Sequence, residues 1–438
     1  MPVGDVAYPH PARAWWSVAV FCLAALVSYT DRLILSSLVD PIKASLGLSD
    51  SAVSLLQGAA FALVYVTAGL FLGRLADRRH RLTLLIAGVT LWCLGTIAGG
   101  FAQSFGMLFA ARMFVGIGEA ALAPAAVSII ADSIPPQRRG AAVGIFLMGT
   151  VLGGPMSIAT GSIMLALAND GAFLAIPIVG QLESWRAVLV LVGSMGLAVP
   201  LLMLTLREPV RREAHAVPDL GATIRHLIAD RASLLPTYLA MGLLSIGDYG
   251  LLSWVPSVLS RRFSMPPDEL GWAFGAVTVV AGIIGCLMGG VGSDAAERAR
   301  GTVGRLRFSV IAALAAAMGA LLVSASSEAW VLVGLGLWTC ASSFASISGI
   351  AAIQSLVPAE YRGVGMALVA FCNTLLGLGF GPTLVALVTE HVLGDPVAVG
   401  YAITSVVLPA SFIAVTLFTF AARAVAARPG FEAQAVAP

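Results

Sequence analysis

Long apolar stretches alternate with short polar, arginine-rich segments along the whole 438-residue chain. Each apolar stretch approaches the roughly 20 residues that an α-helix needs to cross about 30 Å of hydrocarbon. Glycine and proline inside these stretches are compatible with membrane helices, because neighbouring helices satisfy the freed backbone groups. The pattern predicts twelve membrane-spanning helices, near residues 15–39, 51–76, 82–102, 105–132, 140–167, 184–206, 233–259, 268–293, 306–325, 328–356, 363–389 and 397–422.

The amino-acid composition agrees with a membrane setting. Hydrophobic residues make up 58% of the chain and charged residues only 11%, whereas a soluble domain is about 25% charged. Arginine is concentrated in every second polar segment, including 74–81, 138–139 and 298–307, and such segments stay on the cytoplasmic side. The chain is therefore predicted to be an all-α membrane protein with both termini in the cytoplasm.

The longest polar interval, between the sixth and seventh helices, separates two halves that repeat one another. Gly73–Asp77 at the end of helix 2 recurs as Gly290–Asp294 at the end of helix 8, and Asp31 in helix 1 has its repeat counterpart at Asp248 in helix 7. Such repeats predict two pseudo-symmetric six-helix bundles with a substrate site between them near the membrane midplane. The predicted tail, bundle, linker, bundle and tail are residues 1–14, 15–206, 207–232, 233–424 and 425–438.

Four charged residues lie well away from the ends of predicted helices in the first half, Asp31 and Arg32 in helix 1 and Arg112 and Glu119 in helix 4. A charge at membrane depth costs roughly 2.5 kcal/mol or more on insertion scales, so it needs a partner or a function. Arg112 and Glu119 are two turns apart on one helix face. The helical rise of about 1.5 Å per residue puts all four at overlapping depths. We predict a formally neutral cluster of two acids and two bases.

This cluster has the chemistry of a proton switch, because a change of arginine partner can move a proton on or off a buried carboxyl group. The hypothesis is that Asp31 or Glu119 takes a proton from outside and passes it to the cytoplasm while Arg32 and Arg112 exchange partners. The alternative is a static ion-pair network that orients helices 1 and 4.

Asp248 is a second-half acid without an adjacent base, since Tyr249 aligns with Arg32. It could bind a cation or a substrate amine, or couple another proton. It could also cap a broken helix near Gly247 and Gly250.

The repeated loop is a candidate cytoplasmic gate. Its glycines would allow close helix approach, its aspartates would accept hydrogen bonds from a helix N-terminus, and its arginines would pair with acids of the facing bundle. The alternative is a solvated basic turn that serves only topology. The candidate gate residues are Gly73, Asp77, Arg78, Arg81, Gly290 and Asp294.

Two sequence motifs carry a family resemblance. Gly73-x-Leu75-Ala76-Asp77-Arg78-x-x-Arg81 and Arg112-x-x-x-Gly116-x-Gly118-Glu119-Ala120 resemble the loop and helix 4 signatures of the major facilitator superfamily. Tyr29-Thr30-Asp31-Arg32, combined with Gly118-Glu119-Ala120, Pro124 and Asp132, is similar to the spinster family. The resemblance covers essentially the whole chain. It implies the major facilitator fold, alternating access and a place in the bacterial inner membrane.

Animal spinster proteins export sphingosine 1-phosphate or lysophospholipids, so the resemblance implies a proton-coupled secondary transporter of an amphiphile. Arg32 or Arg112 could hold an anionic headgroup. We expect a lipid-like substrate among membrane lipids, a proton as coupling ion without cofactor or metal, no nucleic acid, and a monomer. Further candidate cavity residues, besides Arg32 and Glu119, are Tyr29, Gln57, Phe61, Tyr65, Trp254, Gln354, Phe371 and Asn373.

Helix 5 contains a run of glycines from Gly140 to Gly154, followed by Pro155. It approaches the pattern that marks antiporters in this superfamily, but its Gly-Pro spacing is displaced by one residue. Small residues at these intervals more simply permit tight helix packing.

Other functional classes remain as alternatives. A proton-coupled exporter of drugs or organic anions is the main competitor of the lipid carrier, and a non-transporting receptor or scaffold is the alternative outside transport. No enzyme is expected, because the five histidines fall at or beyond the helix ends. An ATP-driven pump would need a Gly-rich loop ending in Lys-Ser/Thr, and the single lysine, Lys43, has none.

Overall fold

The computed structural model describes residues 8–211, 230–358 and 361–428, with only the backbone of residues 70, 74 and 76–78. Every regular element in these ranges is helical, and none of them contains a β-strand. Most of the predicted linker and most of the C-terminal tail lie outside the described residues.

Contacts divide the chain into two compact units. The first unit comprises Met1–His215 and Met265–Gly275, and the second comprises Ala216–Ser264 and Ala276–Pro438. Each unit buries large aromatic side chains in its own core. These are Phe21, Trp92 and Trp185 in the first unit and Trp254, Trp338 and Phe418 in the second.

The first unit is built from ten helices in the described chain and three short segments of other helical types. The helices are α1 (Pro11–Leu33), α2 (Val39–Leu46), α3 (Asp50–Ser54), α4 (Ala60–Arg78), α5 (Arg81–Gly100), α6 (Phe105–Glu119), α7 (Leu122–Ser133), α8 (Pro136–Asn169), α9 (Ser184–Gly196) and α10 (Ala198–Met203). The short segments are two 3₁₀ turns, Ile34–Ser37 and Val179–Gln181, and a π-helical turn, Leu55–Ala59.

Six further helices follow along the described chain. They are α11 (Arg231–Phe263), α12 (Pro267–Leu322), α13 (Glu328–Leu356), α14 (Arg362–Cys372), α15 (Gly381–Leu387) and α16 (Val399–Ala426). Two π-helical segments, Asn373–Phe380 and Val388–Leu393, flank α15, and a 3₁₀ turn, Pro396–Ala398, precedes α16.

Eleven helical segments of the described chain are long and apolar enough to cross a membrane, whereas the sequence predicts twelve. The difference lies in the 56-residue α12, which covers two of the predicted helices. Its backbone leaves the helical region at Arg300, with φ −149°, and at Gly301, with φ 56°. Glycine adopts this positive φ without the steric cost of a side chain. The first helix begins at Pro11 rather than at Trp15, because proline is well accepted in the first turn.

Glycines of α8 allow a close crossing with α1. A β-carbon placed on Gly149 of α8 would lie 2.2 Å from the carbonyl oxygen of Cys22 in α1, and one on Gly153 would lie 2.7 Å from that of Leu26. Only a residue without a side chain fits at such contacts. The glycine run of helix 5 therefore brings α8 directly against the backbone of α1.

Candidate functional site

The predicted charge cluster lies in the interior of the first unit. Asp31 and Arg32 occupy the last turn of α1, Glu119 is the last residue of α6, and Arg112 lies two turns earlier on the same helix. All four residues are at most 4% exposed. The structure thus brings together the four residues that the depth argument had placed near one another.

Glu119 and Arg32 form a direct ion pair. The Oε2 atom of Glu119 accepts hydrogen bonds from Arg32 Nη2 at 2.7 Å, from Arg32 Nε at 3.1 Å and from Ser28 Oγ at 2.8 Å. Its other oxygen, Oε1, is buried without a hydrogen-bond partner. One carboxylate oxygen of Glu119 therefore accepts all these hydrogen bonds, and the other accepts none.

Three aromatic rings surround the Arg32 guanidinium. Its central carbon lies 4.4 Å from the ring centre of Tyr29, 4.6 Å from that of Phe61 and 4.9 Å from that of Tyr65. A cation within about 6 Å of an aromatic face is attracted by the ring quadrupole, more strongly where water is excluded. We call these three residues the aromatic cage. It adds attractive contacts for the arginine charge to the ion pair with Glu119.

Asp31 has a neutral hydrogen-bond donor rather than a direct arginine partner. Thr96 of α5 donates its hydroxyl to Oδ2 of Asp31 at 2.5 Å, and Oδ1 is buried without a partner. The cluster therefore contains two carboxyl groups that each keep one unsatisfied oxygen. Protonation of either group would remove the cost of a buried negative charge, because burial disfavours the charged form of a carboxyl group.

Arg112 contacts backbone rather than carboxylate. Its Nη1 donates to the carbonyl oxygen of Asp31 at 3.2 Å, and its Nη2 donates to that of Arg32 at 3.0 Å. The last carbonyls of an α-helix have no partner within the helix and carry its negative end. Arg112 thus caps α1. The predicted exchange of partners requires Arg112 to bind a carboxylate group, and in this structure it binds two backbone carbonyl groups instead.

Gln57 lies in the π-helical turn Leu55–Ala59, one turn before Phe61 of the aromatic cage. Both its Nε2 and its Oε1 atoms are buried without a hydrogen-bond partner. π-Helical turns in α-helices are frequent at functional sites. Among the predicted cavity residues, Tyr29, Gln57, Phe61 and Tyr65 all belong to the first unit and lie on helix 1 or helix 2.

Asp248 in the second unit is bound by neutral groups. Trp338 Nε1 donates to its Oδ1 at 2.8 Å, and the neutral side chain of Ser342 lies nearby. The Trp338 indole packs against Gly247, where a β-carbon would lie 2.1 Å from the ring. Helix α11 continues through this region without a break. The interpretation of Asp248 as the cap of a broken helix is therefore wrong.

The other predicted cavity residues of the second unit have diverse surroundings. Trp254 is fully buried and donates its indole N–H to the carbonyl oxygen of Pro382 at 2.9 Å, so it packs in the core instead of lining a cavity. Gln354 lies in the last turn of α13, at the helix end rather than at its middle. Phe371 is 44% exposed, and Asn373 begins a π-helical segment with its Oδ1 unpartnered.

Arg81 organises the predicted gate region of the first unit. It is 2% exposed and donates to Asp132 Oδ2 at 2.5 Å, to Glu208 Oε1 at 3.0 Å and to Ser128 Oγ at 2.9 Å. The loop arginines were expected to pair with acids of the facing bundle, but both acids that bind Arg81 belong to its own unit. Arg81 reaches Asp132 because Arg81 is the first residue of α5 and lies beside the end of α7.

The structure describes the surroundings of only some of the remaining gate residues. The side chains of Asp77 and Arg78 lie outside the described part of the chain. No described atom lies within 4 Å of a β-carbon placed on Gly73 or Gly290, so no described helix packs closely against these glycines. Asp294 pairs with Arg305 at 3.4 Å.

Arg305 is the second-unit counterpart of Arg81. It binds Asp294 and Glu297 and donates to Ser355 Oγ at 2.8 Å. Ser355 is the repeat counterpart of Asp132, because the same number of residues separates Asp132 from Ser355 as separates Gly140 from Gly363. An arginine is thus kept at the start of the third helix in both halves, whereas its acid on the following helix is replaced by serine in the second.

Glu208 was not among the predicted site residues. Its two oxygens accept the backbone N–H groups of Arg81 and Leu82, both at 3.1 Å, at the N-terminus of α5. Burial raises the pKa of Glu208, but these two N–H groups and the Arg81 side chain outweigh burial and hold the pKa below its usual 4.5. Anionic groups are favoured at helix N-termini. A polar residue just after a predicted helix is the only sequence signal for this role.

We expect Glu208→Gln to lower the thermal unfolding midpoint at pH 7, at a cost of about 1–3 kcal/mol for the lost charged hydrogen bonds. Because the folded-state pKa is lowered, the stabilisation is complete above about pH 4.5 and is lost as the pH falls through the folded-state value. The difference between wild type and variant should therefore shrink in acid. Glu328→Gln, in the first turn of α13 and exposed, is the control. A constant difference down to pH 3 would contradict the assignment.

Apolar helices of membrane-spanning length around a buried ion pair define this chain as a multi-pass integral membrane protein. Residues 21–382 match the model of the Major Facilitator Superfamily. An MFS-type efflux pump of Mycolicibacterium smegmatis is 30% identical over 392 residues, which are 88% of this chain and 86% of that protein. The chain belongs to the major facilitator superfamily.

The chain also resembles spinster proteins. Protein spinster of Drosophila melanogaster is 28% identical over 287 residues, which are 63% of this chain and 45% of that protein. A crystal structure of a bacterial homologue of the human lysosomal transporter spinster, inward-facing and unoccupied, has the same fold. It matches with a TM-score of 0.75 and 24% identity over 98% of each chain.

Proposed function

We propose that this major facilitator transporter is proton-coupled and works by alternating access. The observation that carries the proposal is the buried pair of carboxyl groups, Asp31 and Glu119, each with one oxygen lacking a hydrogen-bond partner. A proton on either acid would remove a buried negative charge and change the net charge of the cluster. Protonation of Glu119 would also release Arg32 from its ion pair, while the aromatic cage keeps the guanidinium nearby.

We also propose that the protein crosses a bacterial inner membrane twelve times with both termini in the cytoplasm. The break at Arg300 and Gly301 supports counting α12 as two crossings. The arginine-rich segments on the side of the N-terminus support the orientation. Cysteine accessibility tests this orientation. We expect a membrane-impermeant thiol reagent to label the variant Arg300→Cys from the cytoplasmic side only.

The substrate that we propose is an amphiphile such as a lysophospholipid or a sphingosine 1-phosphate-like lipid. The resemblance to spinster proteins and the aromatic surroundings of Arg32 support this class. A drug or organic-anion exporter is the second candidate, favoured by the efflux pump that is 30% identical. Flux of a lysophospholipid and of a fluorescent drug into liposomes would separate the two, and flux of the drug alone would contradict the lipid proposal.

Asp31→Asn tests proton coupling directly. The substitution keeps the size of the side chain and a hydrogen-bonding contact to Thr96 but removes the titrating group. We expect substrate flux to lose its dependence on an imposed pH gradient, while flux of substrate exchanged between equal concentrations is largely retained. Thr96→Val is the matched control, because it removes the same hydrogen bond and keeps the acid. If Asp31→Asn and Glu119→Gln both keep the full pH-gradient dependence, the proposal is wrong.

A further inference from the structure

A cleft of about 330 Å³ opens in the first unit where α1 begins and where the chain leaves α10. Its lining includes Arg13 and Trp16 of α1 and Thr205, Arg207 and Glu208 of the segment after α10. None of the four residues of the buried charge cluster lines it. The cleft is therefore a separate feature of the molecule.

The cleft carries two positive charges that no group in the described part of the chain neutralises. Arg13 and Arg207 are exposed, and in the described part of the chain neither side chain has a hydrogen bond or an ion pair. Glu208 is the acid among the lining residues, but Arg81 and the N-terminus of α5 already engage both its oxygens. An anion that enters the cleft meets two free guanidinium groups and a compensated carboxylate.

The position of the cleft matches the boundary between lipid and water. It lies at the first residues of one candidate membrane span, Pro11–Ser37, and just beyond the last residues of another, Ser184–Met203. Trp16 is 45% exposed and donates its indole N–H to Thr205 Oγ1 at 2.9 Å, which ties the two chain segments together. Tryptophan is enriched at this depth of a membrane.

Two exposed apolar side chains lie just before the cleft-lining Thr205 along the chain. Leu201 and Leu204, in and just after α10, are 65% and 66% exposed. In a membrane-spanning segment such side chains suit contact with acyl chains. A ligand that combines a phosphate with an acyl chain would use both parts of this surface, whereas a small soluble anion would use only the arginines.

We propose that this cleft binds the phosphate headgroup of an anionic phospholipid of the membrane, with Arg13 and Arg207 as the headgroup contacts and Trp16 at its edge. Guanidinium groups match phosphate oxygens in geometry and charge. The lipid would bridge the start of α1 and the segment after α10. This binding is independent of the transported substrate and of proton coupling.

The test measures the dissociation constant of the first bound dioleoylphosphatidylglycerol on the full-length protein in detergent, by native mass spectrometry. Dioleoylphosphatidylcholine, which is zwitterionic and has no net charge, is the comparison. From the attraction of an anionic membrane surface for each basic residue, we expect Arg13→Gln and Arg207→Gln each to weaken phosphatidylglycerol binding about fivefold, and the double variant about thirtyfold. Arg13→Lys and Arg207→Lys should retain most of the affinity, because the charge remains.

Arg138→Gln is the matched control, since Arg138 is an exposed arginine at the start of α8 that does not line the cleft. An equal loss in this variant, or a double variant within twofold of wild type, would overturn the proposal. Phosphatidylcholine binding as tightly as phosphatidylglycerol would overturn it as well. Glycerol phosphate that displaces the lipid at equal concentration would overturn the lipid assignment in favour of a free anion. Unchanged unfolding midpoints without lipid verify that the variants are folded.

Discussion

Glu119→Gln is expected to destabilise the protein more than Arg32→Gln, although both substitutions break the same buried ion pair. Arginine stays charged in proteins, so Glu119→Gln leaves a buried cation without its counter-ion. Glutamate can become neutral by binding a proton, so Arg32→Gln leaves a group that adapts. Breaking a buried pair from one side costs about 3–5 kcal/mol. We expect Glu119→Gln near this range, reduced by the aromatic cage, and Arg32→Gln at least about 1 kcal/mol below it. Equilibrium unfolding in mixed micelles measures the difference.

The double variant with glutamine at both positions sharpens this prediction. It contains neither charge, so its loss of stability should be smaller than the sum of the losses in the two single variants. The resulting coupling energy reports the pair itself. Ser28→Ala is a suitable control, because it removes one hydrogen bond to the same Oε2 atom and no charge. Equal losses for Glu119→Gln and Arg32→Gln, at both pH 6 and pH 8, would contradict the asymmetry.

Gly149→Ala should have the second large effect, through packing rather than charge. A β-carbon at this position would lie 2.2 Å from the carbonyl oxygen of Cys22 and 3.0 Å from the β-carbon of Ala25. Backbone cannot move aside as a flexible side chain can, so α1 and α8 must separate. Overpacking costs about 1–3 kcal/mol or more, and we expect the upper part of this range. Because α1 also carries Asp31 and Arg32, transport should fall with stability.

Gly144→Ala provides the matched control on the same helix. No described atom lies within 4 Å of a β-carbon placed on Gly144. Replacing glycine by alanine within a helix favours the folded state by roughly 0.5–1 kcal/mol, so Gly144→Ala should be neutral or stabilising. The thermal unfolding midpoint and the yield of monodisperse protein are the measurements. Similar values for the two variants would mean that α1 and α8 are not in close contact.

The proximity of Asp31, Arg32, Arg112 and Glu119 could be predicted from the sequence because helical geometry is regular. The rise per residue converts a position along a predicted helix into a depth, and the cost of a buried charge favours convergence. The helical class and the glycine contacts of helix 5 could be predicted on the same basis. Each of these predictions depends on spacing within one helix.

Contacts that depend on the rotation of one helix against another could not be predicted. Arg112 caps the carbonyl groups of α1, and Thr96 binds Asp31, because of how three helices face one another. The pairing of Glu208 with the start of α5 joins residues that are 126 positions apart. Likewise, a tryptophan such as Trp254 can suit a binding cavity or a core, and only its fully buried position decides for the core.

The π-helical turn Leu55–Ala59 constrains how the length of helix 2 can change. Such a turn amounts to one additional residue in an α-helix. Deleting one residue there would restore a regular helix and largely keep the two flanking parts in phase, because the wide turn already absorbs the extra residue. Deleting one residue between Phe61 and Tyr65, in the regular part of the helix, would instead rotate Tyr65 by about 100° and move it away from Arg32. Helix 2 therefore tolerates a change of length in this turn better than in the segment that surrounds the buried charge.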